Sequence, residues 1–141
     1  YRYNGELYIN ELIYQTGLTN SDIITKMKEL KVSNQLHIVA DSAEPKSIED
    51  LFRGGFRMIK PANKGKDSIL NSIDTLKQFK LNVTKNSTNL IKELRSYVWV
   101  RDKEGKLLNQ PIDFNNHAID ALRYVALNKL KVDGKFNYTF G

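Results

Sequence analysis

Apolar residues recur at helical spacing in five stretches of the 141-residue chain, with short apolar runs of strand length between them. After Thr19 or Asn20 as a cap, Ile23, Ile24, Met27 and Leu30 make one face of a helix reaching about Leu30. Ile48, Leu51 and Phe52 belong to a second helix, with Pro45 in its first turn and Gly54-Gly55 at its end. Ile69, Ile73, Leu76 and Phe79 trace a third. Leu90, Ile91 and Leu94 follow Ser87 or Thr88 as the cap of a fourth. Ile119, Leu122, Val125 and Ala126 mark a fifth, which Asn115 or Asn116 caps.

Strand-length runs fill the intervals. Asn4-Gly5 is the dipeptide of a type I′ turn, so Tyr1 to Gln15 reads as a hairpin piece, with Leu7-Tyr8-Ile9 and Leu12-Ile13-Tyr14 as strand formers. Leu36 to Ala40, with His37 inside it, Phe56 to Ile59 and Leu81 to Thr84 are further strand candidates. Tyr97 to Val100 and Lys106 to Leu108 flank Asp102-Lys-Glu-Gly105 as a second hairpin, in which Trp99 packs. Strands alternating with helices predict an α/β fold, and no repeat or linker divides it, so one domain is expected over 1–141, with a tail at 131–141.

Composition suits a globular domain with a core: 40% hydrophobic and 27% charged. No apolar run approaches the roughly 20 residues that span a bilayer, so no membrane partner is expected. The chain has no cysteine, which excludes disulfides and thiolate metal sites. Its net charge of +6 favours an anionic partner such as nucleic acid.

Two acidic stretches carry the candidate chemistry. In Ala40-Asp-Ser-Ala-Glu-Pro45, Asp41 ends a strand and precedes a helix, the edge at which open α/β sheets place ligands. The bland alternative is a turn in which Asp41 and Ser42 bond locally. In Pro111-Ile-Asp-Phe-Asn-Asn-His-Ala-Ile-Asp-Ala-Leu-Arg-Tyr-Val125, His117 and Asp120 project from one side of the helix, one turn before Tyr124 and beside the loop acid Asp113. The alternative there is a capped helix with a solvated polar face. Carboxylate oxygens are the ligands hard divalent cations take, and paired ions roughly 4 Å apart cleave phosphodiesters. Asp41 and Asp120 are the candidate ligands, with Glu44, Asp113 and His117 as auxiliary groups, though two acids are too few for a complete two-metal site. The strand ending at Ile59 would deliver the Lys60–Lys66 loop to the edge that holds Asp41, so Arg57, Lys60, Lys64 and Lys66 are candidate DNA-backbone contacts. Gly65-Lys66-Asp67-Ser68 lacks the upstream glycine of a phosphate loop, so an ATP site is not supported.

Ala40-Asp-Ser-Ala-Glu-Pro45, Lys64-Gly-Lys-Asp-Ser-Ile69 and Asn116-His-Ala-Ile-Asp-Ala-Leu-Arg-Tyr124 together resemble the C-terminal nuclease domain of tailed-phage terminase large subunits, a likeness that runs to about residue 130. The resemblance implies an RNase H-like mixed sheet flanked by helices and Mg²⁺- or Mn²⁺-dependent cleavage of concatemeric viral DNA during packaging. Asp41 would be the second active-site acid, Asp120 the last, and His117 a neighbour of the metal. It implies double-stranded viral DNA, the terminase small subunit and the portal protein as partners of the full-length protein, and the host bacterial cytoplasm as location. The family's first acid lies on a central strand before the first hairpin. By the resemblance this chain is an N-terminally truncated domain missing that strand, with sheet edges open to self-association. A catalytically incomplete DNA-binding or protein-docking module of the packaging machine is the other reading, and a related recombination nuclease of the same fold a third.

Overall fold

The computed structural model describes residues 1–130; the tail at 131–141 lies outside the described residues. In chain order the elements are β1 (Arg2–Tyr3), β2 (Glu6–Ile9), α1 (Asn20–Glu29), β3 (Ile38–Ala40), α2 (Pro45–Arg53) and β4 (Ile59–Pro61). They continue with α3 (Ser68–Lys77), β5 (Lys80–Val83), α4 (Thr88–Ser96), β6 (Trp99–Arg101), β7 (Leu107–Pro111) and α5 (His117–Lys129). The α/β expectation holds, with the described strands in three small sheets, one of them mixed. One sheet has the order β1-β2-β5, and β3-β4 and β6-β7 are two-stranded.

The first hairpin turns as its sequence demands: Asn4 and Gly5 both take positive φ, 48° and 75°. β2 pairs antiparallel with β1 and parallel with β5, aligning Leu7 with Leu81 and Ile9 with Val83. Leu12 to Tyr14 is not a strand. It runs as coil beside α4, with the Tyr14 hydroxyl on Glu93 and the preceding Glu11 bonded to the start of that helix. The Glu11 carboxylate accepts from Leu90 N and Asn89 Nδ2, both at 2.7 Å, while Glu11 N donates to Ser87 Oγ.

The helix ends explain the breaks between elements. α1 starts on a capping box between Thr19 and Asp22. Both α1 and α2 close with the paired bonds of a Schellman motif, Val32 N to Met27 O and Phe56 N to Leu51 O. The left-handed position is Gly55 in α2 and a lysine, Lys31 at φ 55°, in α1. His37 falls outside the strand and is exposed. The strand expected at Phe56 to Ile59 begins only at Ile59, since residues 54–56 are taken up by the end of α2.

Leu7, Leu76, Ala126 and Leu130 form the central core, with Ile9, Phe79, Leu81 and Leu122 packed on it. This joins α3 and α5 to the β2–β5 pair. α5 also contacts α4 and β3, and that contact brings the two acidic stretches to one place.

Candidate active site

β3 and β4 run parallel with Ala40 opposite Pro61, and Ala62 N donates to Ala40 O at 2.7 Å. Asp41 therefore leaves the sheet at the same edge as the segment 62–66. Its carboxylate closes an Asx turn by accepting from Ala43 N at 2.9 Å, and it also accepts from the Lys64 ammonium and from the Tyr124 hydroxyl at 3.1 Å. The amide of Ala43, then the Lys64 ammonium, hold Asp41 below the usual carboxylate range. Lys64 also lies 4.9 Å from the centre of the Tyr124 ring.

α5 supplies the second carboxylate. Asp120 accepts from Arg123 one turn on; Arg123 Nε donates to Ser72 Oγ of α3 at 3.0 Å, and that hydroxyl donates to Ile69 O. Burial raises the Asp120 carboxyl above its ordinary value, and the negative charge of Asp113 pushes the same way against Arg123 and His117. The Tyr97 hydroxyl, buried near Arg123, has no hydrogen-bond partner among the described residues, and its burial raises its pKa.

Asp41 and Asp120 are linked through α5 itself: Tyr124, which bonds Asp41, stands one turn beyond Asp120. Asn128, a further turn on, takes the Asn63 amide at 3.0 Å and donates to Tyr124 O. Two turns of one helix thus hold both the Asp41 edge and the basic loop.

The remaining candidates sit differently. His117 lines an apolar groove of about 730 Å³ with Leu12, Tyr14, Ala121 and Val125. Asp113 accepts from Asn116 Nδ2 at 3.2 Å, while Glu44 is exposed at the start of α2 without capping it. Lys60 lies in β4 instead of the loop, Lys66 is exposed beside it, and the Arg57 guanidinium lies over the Phe52 ring at 4.7 Å. Of the four basic candidates, Lys64 is the one bonded to Asp41.

Neither Asn115 nor Asn116 caps α5 with its side chain. The cap is Glu93 of α4, buried to 3% exposure. One oxygen accepts from Ala118 N and Ile119 N at 2.8 and 3.0 Å, and the other takes the Tyr14 hydroxyl at 2.8 Å. Sequence reasoning passed over Glu93, Ser72 and the roles of Arg123 and Tyr124. Only the helical phase could have hinted at them: Glu93 falls beside Leu90 and Leu94 on the apolar stripe.

The donors Asp41 and Asp120 are hard oxygens, 40% and 31% exposed, each drawing a cation from the protein itself. They suit a divalent ion held by one or two carboxylates with water and phosphate completing the shell. Among the described residues no third His, Cys, Asp or Glu joins them in a metal-binding group.

The α/β fold, with Asp41 at a strand edge and Asp120 on the helix that crosses it, is of the RNase H-like class. The family model described as "Terminase RNAseH like domain" matches residues 3–128, and the chain belongs to that family. It is 34% identical over 119 residues to the PBSX phage terminase large subunit of Bacillus subtilis (strain 168), covering 84% of this chain and 27% of that protein. It is 33% identical over 101 residues to the terminase large subunit of Bacillus phage SPP1, covering 69% and 24%. The chain thus spans about a quarter of the length of these curated relatives. The crystal structure of the SPP1 large terminase nuclease domain with bound Mn superposes with a TM-score of 0.75 at 28% identity, over 85% of this chain and 69% of that one. The large terminase of the thermophilic bacteriophage D6E shares the fold, with a TM-score of 0.71 at 23% identity over 92% of this chain and 35% of that one.

Proposed function

We propose that this chain is the metal-dependent endonuclease domain of a viral genome-packaging terminase large subunit, hydrolysing phosphodiesters of concatemeric double-stranded DNA. The observation that carries the reading is the link between Asp41 and α5 through the Tyr124 hydroxyl, one turn from Asp120. It is supported by the family match and by the Mn bound to the SPP1 nuclease domain.

Asp41 and Asp120 would hold Mg²⁺ or Mn²⁺. A bound ion of this kind supplies an activated water and neutralises the leaving oxygen. The chain's own groups prepare that chemistry. The Ala43 amide and Tyr124 hydroxyl aim the Asp41 carboxylate, and Arg123, anchored on Ser72, aims Asp120. Lys60, Lys64, Lys66 and Arg57 bind the phosphate backbone. His117 assists proton transfer at the rim, with Glu44 and Asp113 as auxiliary acids. In the full-length protein the small subunit and the portal would be partners, in the host cytoplasm. No described helix is long and apolar enough to cross a membrane.

A second reading, a catalytically incomplete DNA-binding or docking module, draws on one observation: no third acid joins Asp41 and Asp120 among the described residues. Nicking of supercoiled plasmid in Mn²⁺ separates the two. The endonuclease reading expects nicking that falls by at least about 100-fold in both Asp41→Asn and Asp120→Asn, since losing an outer-shell group alone costs roughly 10–100-fold. Nicking that survives both substitutions would overturn the site. Salt-sensitive DNA binding without nicking would establish the second reading.

A further inference from the structure

Asp41 accepts an ammonium that belongs to the chain. Lys64 reaches it from the loop after β4, and Lys64 and Asp41 are 35% and 40% exposed, so neither is sealed from solvent or ligand. The same carboxylate is fixed from two other directions by groups without charge, the Ala43 amide and the Tyr124 hydroxyl. Removing Lys64 would therefore leave Asp41 in position with an oxygen unneutralised. While bonded to Asp41, the ammonium also lies 4.9 Å from the centre of the Tyr124 ring. Next to it is Gly65, where an added side chain would meet nothing within 4 Å, so the space on that side of Lys64 is open.

From this we propose that Lys64 is a tethered cation competing with the divalent ion for Asp41. Metal loading displaces its ammonium, which is then free to take a phosphate oxygen of DNA. The inference rests on the reading of Asp41 as a metal ligand and adds to it a coupling between metal loading and backbone capture. Arg123 does not act in the same way. Its guanidinium is 7% exposed and held by Ser72, so it stays with Asp120.

The test is Mn²⁺ affinity without DNA, by titration calorimetry, for the parent chain, Asp41→Asn, Lys64→Met and Lys66→Met. Lys66 carries the same charge two residues away and is exposed, so its substitution measures the general loss of positive potential. The expected result is that Asp41→Asn loses Mn²⁺ binding and that Lys64→Met tightens it by roughly 2–5-fold, the worth of a partly exposed ion pair. Lys66→Met should change it less. Binding unaffected by Asp41→Asn would overturn the metal-ligand reading and the inference together. Binding lost in Asp41→Asn but equal or weaker in Lys64→Met than in Lys66→Met would overturn the inference alone. As a second readout, duplex binding should lose more affinity on Lys64→Met with Mn²⁺ present than without it; an equal loss in the two conditions would sink the exchange.

Discussion

Asp41 and Asp120 are the same side chain in opposite electrostatic settings. Asp41 sits below its ordinary value of 3.8 because a backbone amide and an ammonium favour its charge. Asp120 sits above that value because burial penalises charge more than Arg123 repays it. By linkage, the stability Asp41 contributes is present above 3.8 and disappears as pH falls through its lowered folded-state value. Asp120 works the other way: the folded state holds its proton more tightly, so its contribution is full below 3.8 and is lost as pH rises through its raised value. Urea unfolding should therefore find Asp41→Asn less stable than the parent at pH 7, by no more than about 1 kcal/mol for a half-exposed pair. Asp120→Asn should match or exceed the parent at that pH, since asparagine still accepts from Arg123. Both differences should shrink as the pH is lowered towards the carboxylate range. An Asp120→Asn variant that is clearly destabilised at pH 7 would mean that the Arg123 pair outweighs burial.

Helix starts show where local sequence rules stop. Ser87 and Asn116 stand at N-cap positions, yet neither side chain caps its own helix. Glutamates from other elements do it: Glu11 serves α4 across 79 residues and Glu93 serves α5 across about 25. Each places a negative charge at the positive end of a helix dipole. The hydrophobic periodicity found all five helices, and Asn4-Gly5 found the hairpin, because those signals are carried by adjacent residues. The Leu12 to Tyr14 run failed as a strand, and the caps of α4 and α5 were missed, because their partners are remote in sequence. The Asp41 edge and the arrival of the 62–66 segment beside it were legible from strand ends, whereas the bonds of Lys64, Tyr124 and Arg123 were not. Glu93→Ala should cost about 1–3 kcal/mol, since it leaves two amides and the Tyr14 hydroxyl without a partner. In a double-mutant cycle with Tyr14→Phe the losses should be less than additive; strict additivity would show that Tyr14 and Glu93 do not share their stabilisation.

At the scale of the whole molecule, α5 is both the core's central helix and the site's backbone. Ala126, with no exposed surface, packs with Leu7, Leu76 and Leu130, while Asp120 of the same helix pairs with Arg123 and Tyr124 bonds Asp41. α1 and α2, joined where Gly54 approaches Ile24, form a flank whose buried residue is Leu51. Two core substitutions should thus separate stability from site geometry. Ala126→Leu forces extra volume into a full core, at about 1–3 kcal/mol, and it must shift α5 against the β2–β5 pair. Leu51→Ala empties a space in the flank at about 2–5 kcal/mol. Compared by Mn²⁺ titration at a temperature where each remains folded, Ala126→Leu should weaken ion binding although it is the milder lesion, and Leu51→Ala should leave it near the parent value. The opposite ranking would mean that the Asp41 edge is set by the α2 side of the fold, through β3 and β4, and not by the helix that crosses it.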